Sequence, residues 1–141
     1  CYKFRAMNLS PEAHLYQVSK NDPRISQVGR FLRKTSIDEF PQFINVFLGQ
    51  MSVVGPRPHI LSHTEMYAQR VNKFMVRHFV KPGITGLAQT KGYRGEVEKE
   101  TDIINRVKYD IFYMENWSIL LDIKIIFMTI FNTVKGEDKA Y

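Results

Sequence analysis

Asp38 and Glu39 stand side by side in T-S-I-D-E-F-P-Q, Thr35 to Gln42, directly after the basic run R-F-L-R-K and just before a proline. Neighbouring residues on a helix point about 100° apart, so two adjacent carboxylates can do different jobs. One can attack phosphorus. The other can ligate Mg²⁺, which takes one or two carboxylates together with substrate phosphates. A helix N-terminus beside Arg30, Arg33 and Lys34 suits phosphate and keeps a carboxylate ionised. Covalent catalysis by Asp is established for phosphoryl groups. The local alternative is capping. With Ser36 as N-cap, Glu39 falls at N3 of a capping box and Asp38 sits in the positive end of the helix dipole, worth about 1 kcal/mol. Pro41 then leaves the Ile37 carbonyl without its usual partner and loosens the first turn. Capping alone accounts for both acids.

Two further pieces could hold an anion. In G-P-R-P, Gly55 to Pro58, the flanking prolines lower the entropy cost of presenting Arg57, and a guanidinium suits a bidentate grip on phosphate oxygens. A proline-rich turn with a solvated Arg is the plainer reading. In K-P-G-I-T-G-L-A-Q, Lys81 to Gln89, glycines permit close backbone approach to a ligand. No G-K-[ST] follows, so this is not a P-loop. His59 and His63 are four apart, and such a pair is more often a coincidence of helix spacing than a metal site.

The elements that must position these groups read as mostly helical. Tyr2 to Phe4 suggests a short strand, Ser10-Pro11-Glu12 a helix start and Asn21-Asp22-Pro23 a turn. Helical spacing marks Ile25 to Leu32. A second helix is predicted from Ile37 to Leu48, with Phe40, Phe43, Ile44, Phe47 and Leu48 on one face and Gly49 ending it. Ser52 to Val54 is extended. Ser62 to Phe79 reads as a helix with Tyr67, Val71, Phe74, Met75 and His78 at core spacing. Lys81 to Gly95 is a loop with a strand at Leu87 to Gln89. Thr101 to Met114 is helical, with Ile104, Val107, Ile111 and Met114 on one stripe. The last helix, Trp117 to Val134, is largely apolar and about 27 Å long. Its Ser118, Asp122, Thr129, Asn132 and Thr133 share a narrow stripe, and Asp122 and Lys124 argue against a membrane span. A buried core helix is the plain reading, and a helix lying in a membrane interface with Trp117 at the headgroups is the alternative.

With 141 residues the chain can hold one compact domain with one core. Its 44% hydrophobic and 24% charged residues are those of a folded protein, which excludes intrinsic disorder. A formal charge of +6 suits an anionic partner: nucleic acid, an acidic membrane or a phosphorylated substrate. The single cysteine, Cys1, excludes an internal disulfide.

Taken together and in order, Y-K-F-R-A-M (Tyr2 to Met7), R-I-S-Q-V-G-R-F-L-R-K-T-S-I-D-E-F-P-Q (Arg24 to Gln42), N-V-F-L-G-Q-M-S-V-V-G-P-R-P (Asn45 to Pro58) and K-P-G-I-T-G-L-A-Q resemble the bacterial sugar transferase family, the monotopic polyprenol-phosphate hexose-1-phosphate transferases. The stretch from Arg106 to Ile126 is similar to its hexose-transferring branch, such as the undecaprenyl-phosphate glucose phosphotransferases. The resemblance implies an α+β, mostly helical catalytic domain over 1–141 with a few short strands and amphipathic membrane-interface helices. It implies a cytoplasmic-face location at the inner membrane. The implied reaction has two steps. A carboxylate attacks the sugar-linked phosphate of a UDP-sugar and releases UMP, and polyprenyl phosphate then collects the phosphosugar. This would be the first membrane step of exopolysaccharide, capsule or O-antigen synthesis. On that resemblance Asp38 is the nucleophile, Glu39 the Mg²⁺ ligand and Arg57 the phosphate-gripping residue. Arg33, Arg5, Lys3 and Arg94 are candidates for diphosphate, uridine or lipid-phosphate contacts. Asp110 matches a family position whose role the sequence leaves open.

The chain departs from the family in two places. Ala6 stands where a small hydroxyl residue is usual. The membrane-inserted helix that precedes Y-K-F-R in the family is not in this sequence, so the chain reads as a C-terminal fragment of a longer membrane protein, its hydrophobic faces free to associate as a homo-oligomer. The rival readings are a basic nucleic-acid-binding module and a non-catalytic membrane scaffold. Against the first, the aromatics sit at core spacing and do not interleave with the basic residues, so no nucleic-acid partner is expected.

Overall fold

The computed structural model describes residues 1–8, 22–58, 67–69, 71, 73–94 and 100–135. The expected helix start at Ser10 and the His59/His63 pair lie outside them. Within them run α1 (Gln27–Lys34), a 3₁₀ turn (Ile37–Glu39), α2 (Gln42–Phe47), β1 (Ser52–Val54), a second 3₁₀ stretch (Phe74–Phe79), β2 (Gly83–Thr85), α3 (Leu87–Thr90), α4 (Glu100–Glu115) and α5 (Ile119–Lys135). The mostly helical α+β class expected from sequence is what is found.

β1 and β2 pair in parallel, Ser52 opposite Gly83 and Val54 opposite Thr85. Glycines make this junction possible. A Cβ on Gly83 would lie 2.1 Å from the Gly55 nitrogen, and one on Gly86 would lie 2.2 Å from the Gly55 carbonyl oxygen. Both obstacles are backbone, so neither can yield without moving the loop that carries Arg57. Gly83→Ala should therefore cost about 3 kcal/mol of stability, at the upper end for overpacking. Urea unfolding measures it, and a loss under about 1 kcal/mol would show that the junction is looser than drawn.

α4 spans both cores. Its Ile103 and Val107 pack with Tyr67, Val71 and Phe74, while its Tyr113 packs with Val54, Leu87 and Ile125. The buried stripe of α4 also contains Arg106 and Asp110, and the expected Ile104, Ile111 and Met114 are half-buried beside it.

Several expected elements differ. Tyr2 to Phe4 is not a strand: the N-terminal segment makes one isolated antiparallel bridge, Met7 with Ile25. The strand placed at Leu87 to Gln89 is the start of α3, and β2 lies just before it, where the pairing with β1 is available. The Ile37 to Leu48 helix is broken at Pro41, which can give no N–H to the preceding turn. Of the Ser62 to Phe79 helix, Tyr67 to Gln69 is helical. Lys73 is then left-handed at φ 61° and the chain continues as 3₁₀. That change of pitch turns Met75 and His78 outward and Arg77 inward.

The largest correction concerns α2 and α5. α5 is not a core helix: among its residues Ile125 alone is buried, while Leu120, Phe127, Phe131 and Val134 are exposed. Its polar stripe faces the domain. Thr129 Oγ1 lies 2.6 Å from Thr85 Oγ1, Asn132 Nδ2 donates to the Thr90 carbonyl, and Asp122 accepts from Tyr113 Oη and Trp117 Nε1. α2 is inverted in the same way. Gln42 and Asn45 are buried, while Phe43, Ile44 and Phe47 are exposed, Phe47 at 92%. Among the described residues no helix is long and apolar enough to cross a membrane.

Candidate active site

The fold brings three distant segments to one carboxylate. The Phe4 N–H donates to the Asp38 carbonyl (3.0 Å) and the Tyr2 N–H to Asn45 Oδ1 (2.8 Å), laying the N-terminal segment along the 3₁₀ turn. Gly29 permits this, since a Cβ there would lie 1.9 Å from the Ala6 carbonyl oxygen. Lys3 Nζ then reaches Glu39 Oε1 at 3.0 Å. Arg57 Nη2 reaches the same oxygen at 2.8 Å, and Arg94 Nη2 reaches Oε2 at 3.3 Å.

Glu39 is buried, which works against its charge, yet Arg57, Lys3 and Arg94 together hold its carboxyl well below the usual carboxylate range. Burial lowers Lys3, Arg57 adds to that, and Glu39 opposes both. Asp38 is the mirror case. Burial pushes its carboxyl up and the adjacent Glu39 adds to the push, with Lys3, Arg33 and Arg94 pulling it down. The two neighbouring acids thus have opposite environments: one clamped by cations, the other desolvated and held by none of these ion pairs.

The expected capping box does not form. Ser36 is left-handed (φ 58°) and makes no side-chain cap, and its Oγ accepts from Arg94 Nη2 at 2.9 Å. The Glu39 side chain is committed to the three cations instead of reaching back to the Ser36 N–H. A non-glycine residue in this conformation stores strain, which is tolerated where surrounding contacts over-determine it.

Among the other expected contact residues, Arg33 lies 4.0 Å from Met7 Sδ and contributes its field to Asp38 without pairing with Glu39. Arg5 is exposed and takes no part in the ion pairs around Glu39. One residue with a bearing on the site, Arg77, carries no signal in the sequence. Arg77 donates to the Arg57 carbonyl (2.6 Å) and lies 2.9 Å from Asp110 Oδ2, a close ion pair without good hydrogen-bond alignment. Ser36, which the spacing predicts as a cap, instead accepts from Arg94. The spacing of Arg106 and Asp110, four apart on a helix, was the one available signal for the buried charge cluster.

Beside Glu39 and Arg94 a cavity of about 280 Å³ opens between the 3₁₀ turn, α3 and α5, with Phe40, Phe43, Gln89 and Asn132 among its walls. Among the described residues no cluster of three or more His, Cys, Asp or Glu side chains could hold a metal unaided. The Asp38–Glu39 pair supplies the one or two carboxylates that Mg²⁺ takes when phosphates and water complete its shell. Both Glu39 oxygens are engaged by cations that a diphosphate would attract, so the donor set fits Mg²⁺ arriving with such a ligand.

Residues 1–136 match the family described as bacterial sugar transferase. The chain is 53% identical over 131 residues to the UDP-glucose:undecaprenyl-phosphate glucose-1-phosphate transferase of Klebsiella pneumoniae, covering 92% of this chain and 28% of that one. It is 50% identical over 131 residues to the protein of the same name from Escherichia coli K12, with the same coverage, 92% and 28%. Against the exopolysaccharide production protein PSS of Rhizobium leguminosarum bv. phaseoli it is 43% identical over 134 residues, covering 92% and 67%. The chain thus spans under a third of the length of the first two.

Proposed function

The chain belongs to the bacterial sugar transferase family, and from that premise we propose that it transfers hexose-1-phosphate from a UDP-sugar, with glucose the favoured hexose, to polyprenyl (undecaprenyl) phosphate, releasing UMP. The observation that carries this reading is the division of labour at residues 38 and 39: a desolvated carboxylate beside one clamped by three cations from three other segments.

In the first step an Asp38 carboxylate oxygen bonds to the sugar-linked phosphorus. The phosphorus bond to the bridging oxygen breaks, and UMP departs with that oxygen and its electron pair. Lys3, Arg57 and Arg94 exchange their hold on Glu39 for the diphosphate oxygens and offset the repulsion between two anions. Glu39, so released, is the carboxylate that would hold Mg²⁺, which when bound supplies charge neutralisation at the diphosphate. In the second step a phosphate oxygen of the lipid acceptor bonds to the same phosphorus, the bond to Asp38 breaks, and the carboxylate is regenerated.

The inverted amphipathy of α2 and α5 supports a seat on the cytoplasmic leaflet of the inner membrane. Their apolar residues face outward and their polar residues bond inward, as expected where lipid and not water covers the outer face. The net positive charge favours an anionic leaflet. A nucleic-acid surface finds less support, because Lys3, Arg57 and Arg94 converge on a carboxylate. The test is incubation of the intact protein in detergent with labelled UDP-glucose, Mg²⁺ and polyprenyl phosphate. Label entering the organic phase in step with UMP release is expected. Release of UDP in place of UMP would contradict the reading, since it would mean that the sugar moved without its phosphate.

A further inference from the structure

The loop that presents Arg57 cannot hold itself. The Gly55 N–H donates to the Thr85 carbonyl at 2.9 Å, but Pro56 and Pro58 carry no N–H, so beyond Gly55 the loop is held largely through carbonyl oxygens by donors that come to it. Gly83 N–H donates to the Pro56 carbonyl at 2.9 Å, and Arg77 Nη2 donates to the Arg57 carbonyl at 2.6 Å. Arg77 is 3% exposed, lies over the Phe74 ring with 5.5 Å to the ring centre, and faces the 2%-exposed Asp110 at 2.9 Å. Asp110 projects from the rigid α4, with Arg106 one turn before it on the same buried stripe. Burying these charges is costly. Burial pushes Asp110 up to about 6 with Arg77 and Arg106 opposing, and lowers Arg77 with Asp110 opposing. A cluster of this cost against the back of a ligand-gripping loop calls for a use beyond packing.

We propose that Arg77 and Asp110 are positioning residues: Asp110 on α4 holds the Arg77 guanidinium, Arg77 pins the Arg57 carbonyl, and the pinned loop aims the Arg57 side chain at the nucleotide diphosphate. This rests on the transferase reading. It assigns roles to Asp110 and Arg77, neither of which reaches Glu39.

A double-mutant cycle on UDP affinity, measured by calorimetry on the intact protein in detergent with Mg²⁺, tests it. Arg57→Ala should weaken UDP binding about 30-fold, within the range for a hydrogen bond to a charged group. Arg77→Met and Asp110→Asn should each weaken it about 10-fold. In the Arg57→Ala background the same two changes should cost nothing further, because the side chain they aim is gone. Losses that multiply would overturn the relay and leave a general structural role. If Arg77→Met does not fold, Arg77→Lys keeps the charge against Asp110 but not the reach to the carbonyl. It too should weaken UDP only when Arg57 is present, and equal losses in both backgrounds would overturn the proposal. Multiplying losses together with normal phosphosugar transfer would reject the relay alone. Coupled losses in a protein that releases UDP and not UMP would reject the reaction and keep the relay.

Discussion

Asp38→Asn folds and does not turn over: UMP release from UDP-glucose falls by on the order of 10⁴-fold or more, the scale seen when a nucleophile is removed. The amide nitrogen's lone pair is delocalised into the carbonyl, so the variant has no group able to form the covalent bond to phosphorus. The fold should survive, because the Asp38 side chain is in none of the ion pairs of the cluster. Burial and the Glu39 charge both disfavour its ionised form. Neutralising it relieves that repulsion, and the thermal midpoint should hold or rise slightly. Residual UMP release within tenfold of wild type would show that some other group attacks.

Glu39→Gln is expected to fail in a different way. It keeps the nucleophile but loses the charge that gathers Lys3, Arg57 and Arg94, and turnover should fall about 10²–10³-fold, as when an electrostatic contributor is lost. Stability should fall as well, by about 2 kcal/mol at pH 7. That is below the ~3–5 kcal/mol of a fully buried pair, because the three cationic side chains keep 38%, 21% and 15% of their exposure and are partly screened. The deficit depends on pH. The folded protein holds Glu39 ionised far below its ordinary value of 4.5, whereas the unfolded chain takes up that proton near 4.5. The stabilisation is therefore complete above about pH 5 and drains as pH falls from there toward the folded value. Urea midpoints at pH 7 and pH 3 should show the gap between wild type and variant closing. A gap unchanged at pH 3 would mean that Glu39 is not held by the cations.

The residues that gather at this site were more legible in the sequence than the surfaces around them. Of the five basic residues that the resemblance offers for phosphate, diphosphate, uridine or lipid-phosphate contacts, Lys3, Arg57 and Arg94 stand on Glu39, while Arg5 and Arg33 do not. The S-x-x-E spacing misled because a capping box and a strained turn use the same residue types. What decided between them was Arg94, 58 residues away from Ser36. Periodicity located the apolar stripes of α2 and α5 but could not say what they face, since a protein core and a lipid select the same side chains. The polar partners of α5, Thr85 and Thr90, show that its polar side turns inward only once β2 and α3 are in place. β2 itself, Gly-Ile-Thr, is too short to display an alternation, and the Leu-Ala-Gln that follows reads as strand until its backbone turns. Arg77 could not have been linked to Asp110 because a break at Lys73 reorients it.

The central claim is a covalent bond between residue 38 and phosphorus. Mix the intact protein with UDP-glucose and Mg²⁺ in the absence of lipid acceptor, quench with acid, digest, and weigh the peptide that contains Asp38. The account predicts one hexose phosphate on that peptide, gone again after polyprenyl phosphate is added. An unmodified peptide in a preparation that still forms lipid-linked sugar would contradict it.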